Sequence, residues 1–255
     1  MDIAHLFQPV WIWAFVLCVA FFAGLVKGIV GFAMPMILIS GLGSVLPPEL
    51  ALAGLILPTL VTNAWQALRQ GGRAAWQALR RYRVFLLSGL AVLLASAQLV
   101  GLLPPRVMFL LIGGPIVIYA LAGLLGRPLR LPPHPGPRAE AIIGAVAGFF
   151  GGISGVWGPP TVALLTAQET EKTEQIRIQG VIYGLGAVAL LFAHLGSGVL
   201  RAETAPLSFV LVIPALIGMS AGFAIHDRID QATFRKATLL VLLIAGANLV
   251  RRGLI

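Results

Sequence analysis

Residues 23–35 read AGLVKGIVGFAMP, and this stretch decides how the chain begins to fold. It lies in an apolar run over residues 10–46 in which Lys27 is the only charged residue. One straight helix over that run would be about 55 Å long, whereas the core of a bilayer is about 30 Å thick. The run must therefore break, tilt or turn back. Glycine lets the backbone leave helical geometry and proline removes an amide donor, so we predict the break at Gly28–Pro35.

The composition is that of an integral membrane protein. Of the 255 residues, 58% are hydrophobic and 11% are charged, whereas a soluble domain has roughly 25% charged residues. The net charge of +9 lies in short loops between apolar runs, so it is expected to orient the chain in a bilayer rather than to bind nucleic acid. The only cysteine, Cys18, lies in an apolar run, so we predict no disulfide, metal site or cofactor. The first segment is expected to be retained, since it lacks a basic region and a cleavage site.

The sequence predicts an all-α fold with about eight transmembrane helices. A helix needs roughly 20 mostly apolar residues to span a bilayer. Runs of this kind occupy residues 8–45, 49–68, 84–103, 106–126, 139–167, 176–199, 206–225 and 232–250. The longest polar interruption, GRPLRLPPHPGPRAE over residues 126–140, is rich in proline and arginine. We therefore predict a first four-helix repeat over residues 1–126, a cytoplasmic linker over 127–138 and a second four-helix repeat over 139–255.

The distribution of lysine and arginine predicts the orientation. Eight crossings place eleven of these residues on one side of the membrane, namely Arg69, Arg73, Arg80, Arg81, Arg83, Arg127, Arg130, Arg138, Arg201, Arg251 and Arg252. The other side receives Arg106, Lys172, Arg177, Arg228, Arg235 and Lys236. The richer side is expected to be cytoplasmic, with both termini there. In the first of these loops, Trp76, Leu79 and Tyr82 recur at helical spacing, which suggests a short helix at the membrane interface.

The opening stretch has a second copy. Residues 147–159 read AGFFGGISGVWGP, and six of the thirteen aligned positions are identical at an offset of 124. The shared residues are Ala23/Ala147, Gly24/Gly148, Gly28/Gly152, Ile29/Ile153, Gly31/Gly155 and Pro35/Pro159. The first helix of each repeat is therefore predicted to break at a glycine and proline motif. If each break is a re-entrant hairpin, the repeats are inverted; otherwise they are parallel.

Paired helix breaks indicate a transport site. A broken helix exposes backbone groups that lipid cannot satisfy, so it must line protein or a water-filled cavity. The restarted helix would direct its N-terminal amides into that cavity, where they favour anions. Alternatively, the glycine pairs only allow close helix packing. Our candidate substrate-binding residues are Lys27, Gly28, Gly31, Pro35, Asn63, Gly152, Ser154, Gly155 and Pro159.

Lys27 has no counterpart in the second copy, where Gly151 stands. A lysine deep in a membrane helix is costly unless it reaches the surface or meets an opposite charge. No Asp or Glu lies within the apolar core of any predicted span. Lys27 is therefore either a snorkelling side chain or a counter-charge for an anionic substrate.

An intramembrane serine protease is the alternative enzyme class. Gly152 to Gly155 form a GxSG sequence, and His194 follows later, as in rhomboid proteases. Along the spans, however, His194 is expected near the inner surface, far from Ser154. The first copy also has Val30 where the second has Ser154, so the glycines were duplicated and the nucleophile was not. We therefore predict no enzymatic activity.

The chain resembles the TauE/SafE sulfite-exporter family of bacterial permeases over essentially its whole length. The similarity lies in AGLVKGIVGFAMP, in AGFFGGISGVWGPP over residues 147–160 and in RIQGVIYGL over residues 177–185. The chain departs from the family at 32–34 and 156–158, where the family often has consecutive glycines, and at Lys27. The resemblance implies an inner-membrane carrier of sulfite, sulfonates or related anions.

The predicted function is thus a secondary transporter for a small sulfur-containing or carboxylate anion, bound near mid-membrane and moved by alternating access. Its partners would be this anion and the lipid bilayer, and the sequence leaves room for a homo-oligomer. An anion channel and a non-transporting membrane subunit are the alternatives. The substrate, the direction of transport and the coupling ion stay open.

Overall fold

The computed structural model describes residues 10–97, 104–127, 136–154, 158–196 and 198–254, and these ranges form eleven helices without a strand. The helices are α1 (Val10–Val30), α2 (Met34–Leu42), α3 (Pro48–Leu68), α4 (Gly72–Arg81), α5 (Arg83–Ala97), α6 (Pro105–Leu124), α7 (Pro137–Ser154), α8 (Gly158–Ala167), α9 (Lys172–Gly196), α10 (Ala205–Arg228) and α11 (Gln231–Leu254). The all-α prediction is confirmed.

Five helices are long and apolar enough to cross a membrane, which makes the chain a multi-pass membrane protein. They are Val10–Val30, Glu49–Leu68, Lys172–Gly196, Ala205–Arg228 and Gln231–Leu254. Shorter apolar helices occupy Arg83–Ser96 and Gly113–Leu124. The predicted total of eight spans in two four-helix repeats stays a prediction.

The chain forms two compact units, and each unit takes helices from both parts of the sequence. The first unit consists of residues 1–71 and 180–229, and the second of residues 72–179 and 230–255. The predicted domain boundaries at 126 and 139 describe sequence repeats rather than compact units, and they stay a prediction.

In the first unit, α1 packs against α10 through small residues. A Cβ atom on Gly24 would overlap the carbonyl oxygen of Ala215, and one on Gly218 would overlap that of Phe21. Further along both helices, Gly28 lies against the backbone of Met219. Because contacts advance together along both sequences, α1 and α10 run parallel. Close backbone approach through glycine is the usual way in which membrane helices pack.

Helix α3 runs parallel to α10 as well. In the middle of α3 and near the start of α10, the Leu57 amide donates a hydrogen bond to the Ser208 hydroxyl over 3.0 Å. Near their ends, Arg69 pairs with Asp227 at 2.6 Å. The Ser208 hydroxyl also donates a hydrogen bond to the Gly54 carbonyl over 3.4 Å. This carbonyl lacks its usual helical donor, because the residue four positions later is Pro58, which has no amide hydrogen. Helices α1, α3 and α10 therefore share one direction.

Helix α2 turns back along α1. Its end, Gly41, lies against Val19 of α1, nearly three turns before α1 ends. Its first residue, Met34, contacts Thr62 late in α3, whereas Leu42 lies beside Gly54 earlier in α3. The run over residues 10–46 therefore breaks and reverses, which was one of its three predicted outcomes.

In the second unit, α5 and α7 run parallel and α6 and α11 run antiparallel. Gly144 lies against Phe85, and Gly148 against Gly89, so contacts between α5 and α7 advance together. Gly113 lies against Gly246. Gly253 lies against Leu110, so contacts between α6 and α11 advance in opposite directions.

Helices α7 and α8, which flank residues 155–157, run in opposite directions. The start of α7 is held by an ion pair between Glu140 and Arg81. The neighbouring Tyr82 forms a hydrogen bond with Thr170, just after the end of α8. Because the start of α7 and the end of α8 meet the adjacent residues Arg81 and Tyr82, α8 returns along α7. The predicted short helix in the loop before α5 is present as α4.

The close approach of α1 and α10 gives a stability prediction. We expect Gly218→Ala to lower the free energy of unfolding by about 1–3 kcal/mol, because the new methyl group would overlap the Phe21 carbonyl. The matched control is Gly114→Ala in α6, where a Cβ meets no atom within 4 Å. That change should be neutral or stabilising by up to about 1 kcal/mol. Thermal melts of the purified protein in detergent measure both, and equal shifts would contradict the packing argument.

Candidate functional site

The helix break in the first motif lies where the sequence predicts it. Helix α1 ends at Val30 and α2 begins at Met34. Between them Gly31 has φ +86° and Ala33 has φ +74°. Glycine adopts this left-handed conformation freely, whereas alanine is strained there by roughly 1–2 kcal/mol. Residues 31–34 are buried, so the break belongs to the interior of the first unit.

Side chains from two neighbouring helices satisfy the carbonyls that the break exposes. The Gln66 amide nitrogen donates to the Gly31 carbonyl over 3.0 Å. The Nδ1 atom of His226 lies 3.1 Å from the Ile29 carbonyl, and with its proton on Nδ1 the ring donates to that oxygen. Both side chains are buried. They fix the end of α1 against α3 and α10, as backbone exposed within a membrane requires.

The N-terminus of α2 retains unused donors. Ala33 precedes the helix and has no side chain that could cap it, and Pro35 has no amide hydrogen. Only the Ile37 amide in the first turn bonds back to the Ala33 carbonyl, over 3.0 Å. Within the described residues, the amides of Met34 and Met36 have no hydrogen-bond acceptor. Such amides, together with the helix dipole, favour an anion.

Lys27 is fully enclosed. The residue is 1% exposed, and its Nζ donates to the Oδ1 of Asn63 in α3. The Nδ2 of Asn63 in turn donates to the Tyr183 carbonyl of α9 over 3.1 Å. The lysine therefore does not snorkel to the surface. Among the described residues, no carboxylate forms an ion pair with it, so its positive charge has a dipolar partner and no counter-ion.

Asn63 is one member of a polar stripe on α3, which consists of Thr59, Thr62, Asn63 and Gln66. The spacing i, i+3, i+4, i+7 places all four on one face, and all four are buried. Thr62 donates to the Pro58 carbonyl over 2.6 Å and also meets the sulfur of Met34. The Thr59 hydroxyl has no hydrogen-bond partner within the described residues. A buried hydroxyl without a partner costs about 1–3 kcal/mol.

The candidate residues fall into two groups. Lys27, Gly31 and Asn63 lie together in the first unit, and Pro35 is the second residue of α2, the helix after the break. Gly28 lies against the backbone of α10, so its evident role is close packing. The other candidates belong to the second motif: Gly152 and Ser154 end α7, Pro159 begins α8, and Gly155 lies outside the described residues. Their part in binding stays a prediction.

Sequence reasoning did not select Thr59, Thr62, Gln66 or His226 as site residues. The helical spacing of the two threonines with Asn63 was the available signal. His226 stands next to Asp227 and Arg228, a charged context typical of a helix end outside the membrane. Its contact with the break depends on the packing of α10 on α1 and carried no local signal.

The chain was compared with known proteins. The family model described as sulfite exporter TauE/SafE matches residues 16–249, which is nearly the whole chain. No curated protein and no solved structure matches it.

Proposed function

The chain belongs to the sulfite exporter TauE/SafE family, and on this basis we propose that it is a secondary transporter. It carries a small sulfur-containing or carboxylate anion across the bacterial inner membrane by alternating access. Family membership and the five apolar helices support transport across a membrane. The substrate class and the residues that bind it are the content of the proposal.

The observation that carries the anion proposal is the enclosed amine of Lys27, which no carboxylate of the described residues meets. A buried ammonium group is costly unless an opposite charge compensates it. Asn63 provides a carbonyl oxygen and no charge. An anionic substrate that reaches this nitrogen supplies the missing charge, and the ammonium then holds it by a charge-assisted hydrogen bond.

Three further donors support the same assignment. The amides of Met34 and Met36 begin α2, and Met34 touches Thr62 on the α3 polar stripe. The Thr59 hydroxyl belongs to the residue four positions before Asn63 on that stripe, about 6 Å along the axis. A compact oxyanion such as sulfite, or the head of a sulfonate or carboxylate, has enough acceptor oxygens to use these donors together.

The break would also supply the moving part. Gly31 and Ala33 hold a left-handed turn, and the hydrogen bonds from Gln66 and His226 fix it in the conformation seen here. Alternating access would come from rocking of one sequence repeat against the other, with the turn as a point of bending. An anion channel needs no such motion. Counterflow of labelled anion in proteoliposomes separates the two, because a channel does not exchange anion against a gradient.

The first experiment is an anion screen by thermal shift. The purified protein is heated with sulfite, sulfonates, sulfate, thiosulfate or carboxylates, each as its sodium salt at equal ionic strength. An anion present at 100 times its Kd stabilises the folded state by about 2.7 kcal/mol, a shift of several degrees. Stabilisation by some of these anions and not by chloride is expected. Equal melting temperatures in all salts would contradict the proposal.

A further inference from the structure

A basic and aromatic surface lies on α4, at the start of the second unit. Its exposed side chains are Arg73, Trp76 and Arg80, and Arg83 at the start of α5 continues the series. The spacing of three and four residues places the three α4 side chains on one side of that helix. We call these four residues the α4 basic face. Trp76 is 53% exposed, so its ring is available at the surface beside the arginines.

The opposite side of α4 is anchored, so the α4 basic face has a fixed orientation. Ala78 and Tyr82 are buried. Arg81 forms an ion pair with Glu140, whose side chain is 7% exposed. Burial, followed by the nearby Glu174 carboxylate, raises the pKa of the Tyr82 phenol, so this residue adds no negative charge behind the face. The helix cannot turn its arginines inwards without breaking these contacts.

The positive charges of the face are uncompensated. Within the described ranges, Arg73, Arg80 and Arg83 form no ion pair with a carboxylate. Arg80 instead stacks its guanidinium over the Trp76 ring at 5.1 Å. That arrangement stiffens both side chains and leaves guanidinium N–H groups for an external acceptor.

The position of the face identifies the acceptor. Helix α4 connects the end of α3, a candidate span, to the start of the apolar helix α5, so it lies at a membrane surface. Tryptophan favours that depth, and arginine pairs with phosphate by two parallel hydrogen bonds. We propose that the α4 basic face binds the phosphate headgroup of an anionic phospholipid, with Trp76 against the glycerol and upper acyl region. This site is independent of the transported anion.

The test measures lipid binding to the full chain. Protein in detergent micelles is titrated with phosphatidylglycerol or phosphatidylcholine, and bound lipid is counted by native mass spectrometry. Each arginine near an anionic surface contributes roughly fivefold in affinity, so the triple variant Arg73→Gln, Arg80→Gln, Arg83→Gln should bind phosphatidylglycerol about a hundredfold more weakly. The matched control removes the same number of charges from Arg106, Arg251 and Arg252, and it should retain this binding.

Salt gives a second measurement that needs no variant. Raising NaCl from about 0.1 to 0.5 M should weaken phosphatidylglycerol binding to the unmodified protein, because the screening length falls below the reach of the arginines. Equal binding of both lipids, equal loss in both triple variants, or no response to salt would overturn the proposal. So would displacement of the lipid by millimolar inorganic phosphate, which would make this a site for free phosphate.

Discussion

Lys27→Met should abolish the stabilisation of the protein by its anion and reduce counterflow at least a hundredfold. The ammonium is 1% exposed and has Asn63 as its partner, so an anion bound there loses a charge-assisted hydrogen bond within a low-dielectric interior. Without anion, the variant should be as stable as the unmodified protein or more stable, because it no longer buries a charge. The variant should therefore gain or keep stability without anion and lose the stabilisation that the anion provides. Thermal melts with and without anion measure both effects.

The variant Asn63→Asp tests whether the anion binds because of the positive charge of Lys27. The new carboxylate would stand where the Asn63 side chain meets Lys27 and would neutralise it within the protein. We expect this variant to fold, to be stable without anion and to lose the response to anion as fully as Lys27→Met does. The aspartate keeps the acceptor that meets Lys27 and loses the hydrogen bond that the Asn63 Nδ2 donates to the Tyr183 carbonyl. A retained anion response would therefore argue that charge is not what Lys27 supplies.

The matched control for both variants is Lys236→Met. It removes one lysine from an exposed position on α11 and leaves the enclosed site unchanged. Its melting temperature should rise with anion as it does in the unmodified protein. An equal loss in all three variants would show that anions act through overall charge and not through the site. If anion stabilises Lys27→Met as much as the unmodified protein, the assignment of Lys27 to substrate binding is wrong.

Local chemistry explains which parts of this site the sequence could predict. The break at Gly31 was predictable because glycine and proline act on their own backbone, and a 37-residue apolar run cannot span a bilayer as one helix. The reversal of α2 was not predictable from the sequence, because the direction of this helix depends on the packing of Gly41 against Val19. Asn63 was selected for its depth, but its pairing with Lys27 across 36 residues follows from the direction of α3.

The helix directions lead to the second large prediction, which concerns topology. Because α1 and α3 run parallel, the segment between them, α2 with residues 43–47, returns across the membrane. We expect α7 and α8 to do the same in the second half. Each half of the sequence then makes five passes, and an odd number inverts the second half relative to the first.

The antiparallel pair of α6 and α11 supports inverted repeats. These helices are the last of their respective halves, and both lie in the second unit. Parallel repeats would give corresponding helices the same direction, whereas the contacts of Gly113 with Gly246 and of Gly253 with Leu110 show opposite directions. We therefore propose an inverted repeat, the alternative that the sequence had left open.

This topology also sharpens the charge asymmetry. Following the passes along the chain, one side of the membrane receives thirteen basic residues, namely Arg69, Arg73, Arg80, Arg81, Arg83, Arg127, Arg130, Arg138, Lys172, Arg177, Arg228, Arg235 and Lys236. The other side receives Arg106, Arg201, Arg251 and Arg252. Ten passes therefore fit the positive-inside rule better than eight. They place the start of α1 and the end of α11 on the outer side, opposite to the orientation that eight crossings predict.

Single cysteines separate the two topologies without ambiguity. In a Cys18→Ser background, Glu203→Cys should react with a membrane-impermeant maleimide added outside intact cells, and Lys236→Cys should react only after permeabilisation. Eight crossings predict the reverse for both positions.

Arg106→Cys should react from outside and Arg73→Cys only from inside in either topology, so these two variants calibrate the assay. All four positions are exposed, which makes labelling a matter of side rather than of burial. Reaction of Lys236→Cys from outside would refute the inverted repeat, because α6 and α11 could not then run antiparallel in ten passes.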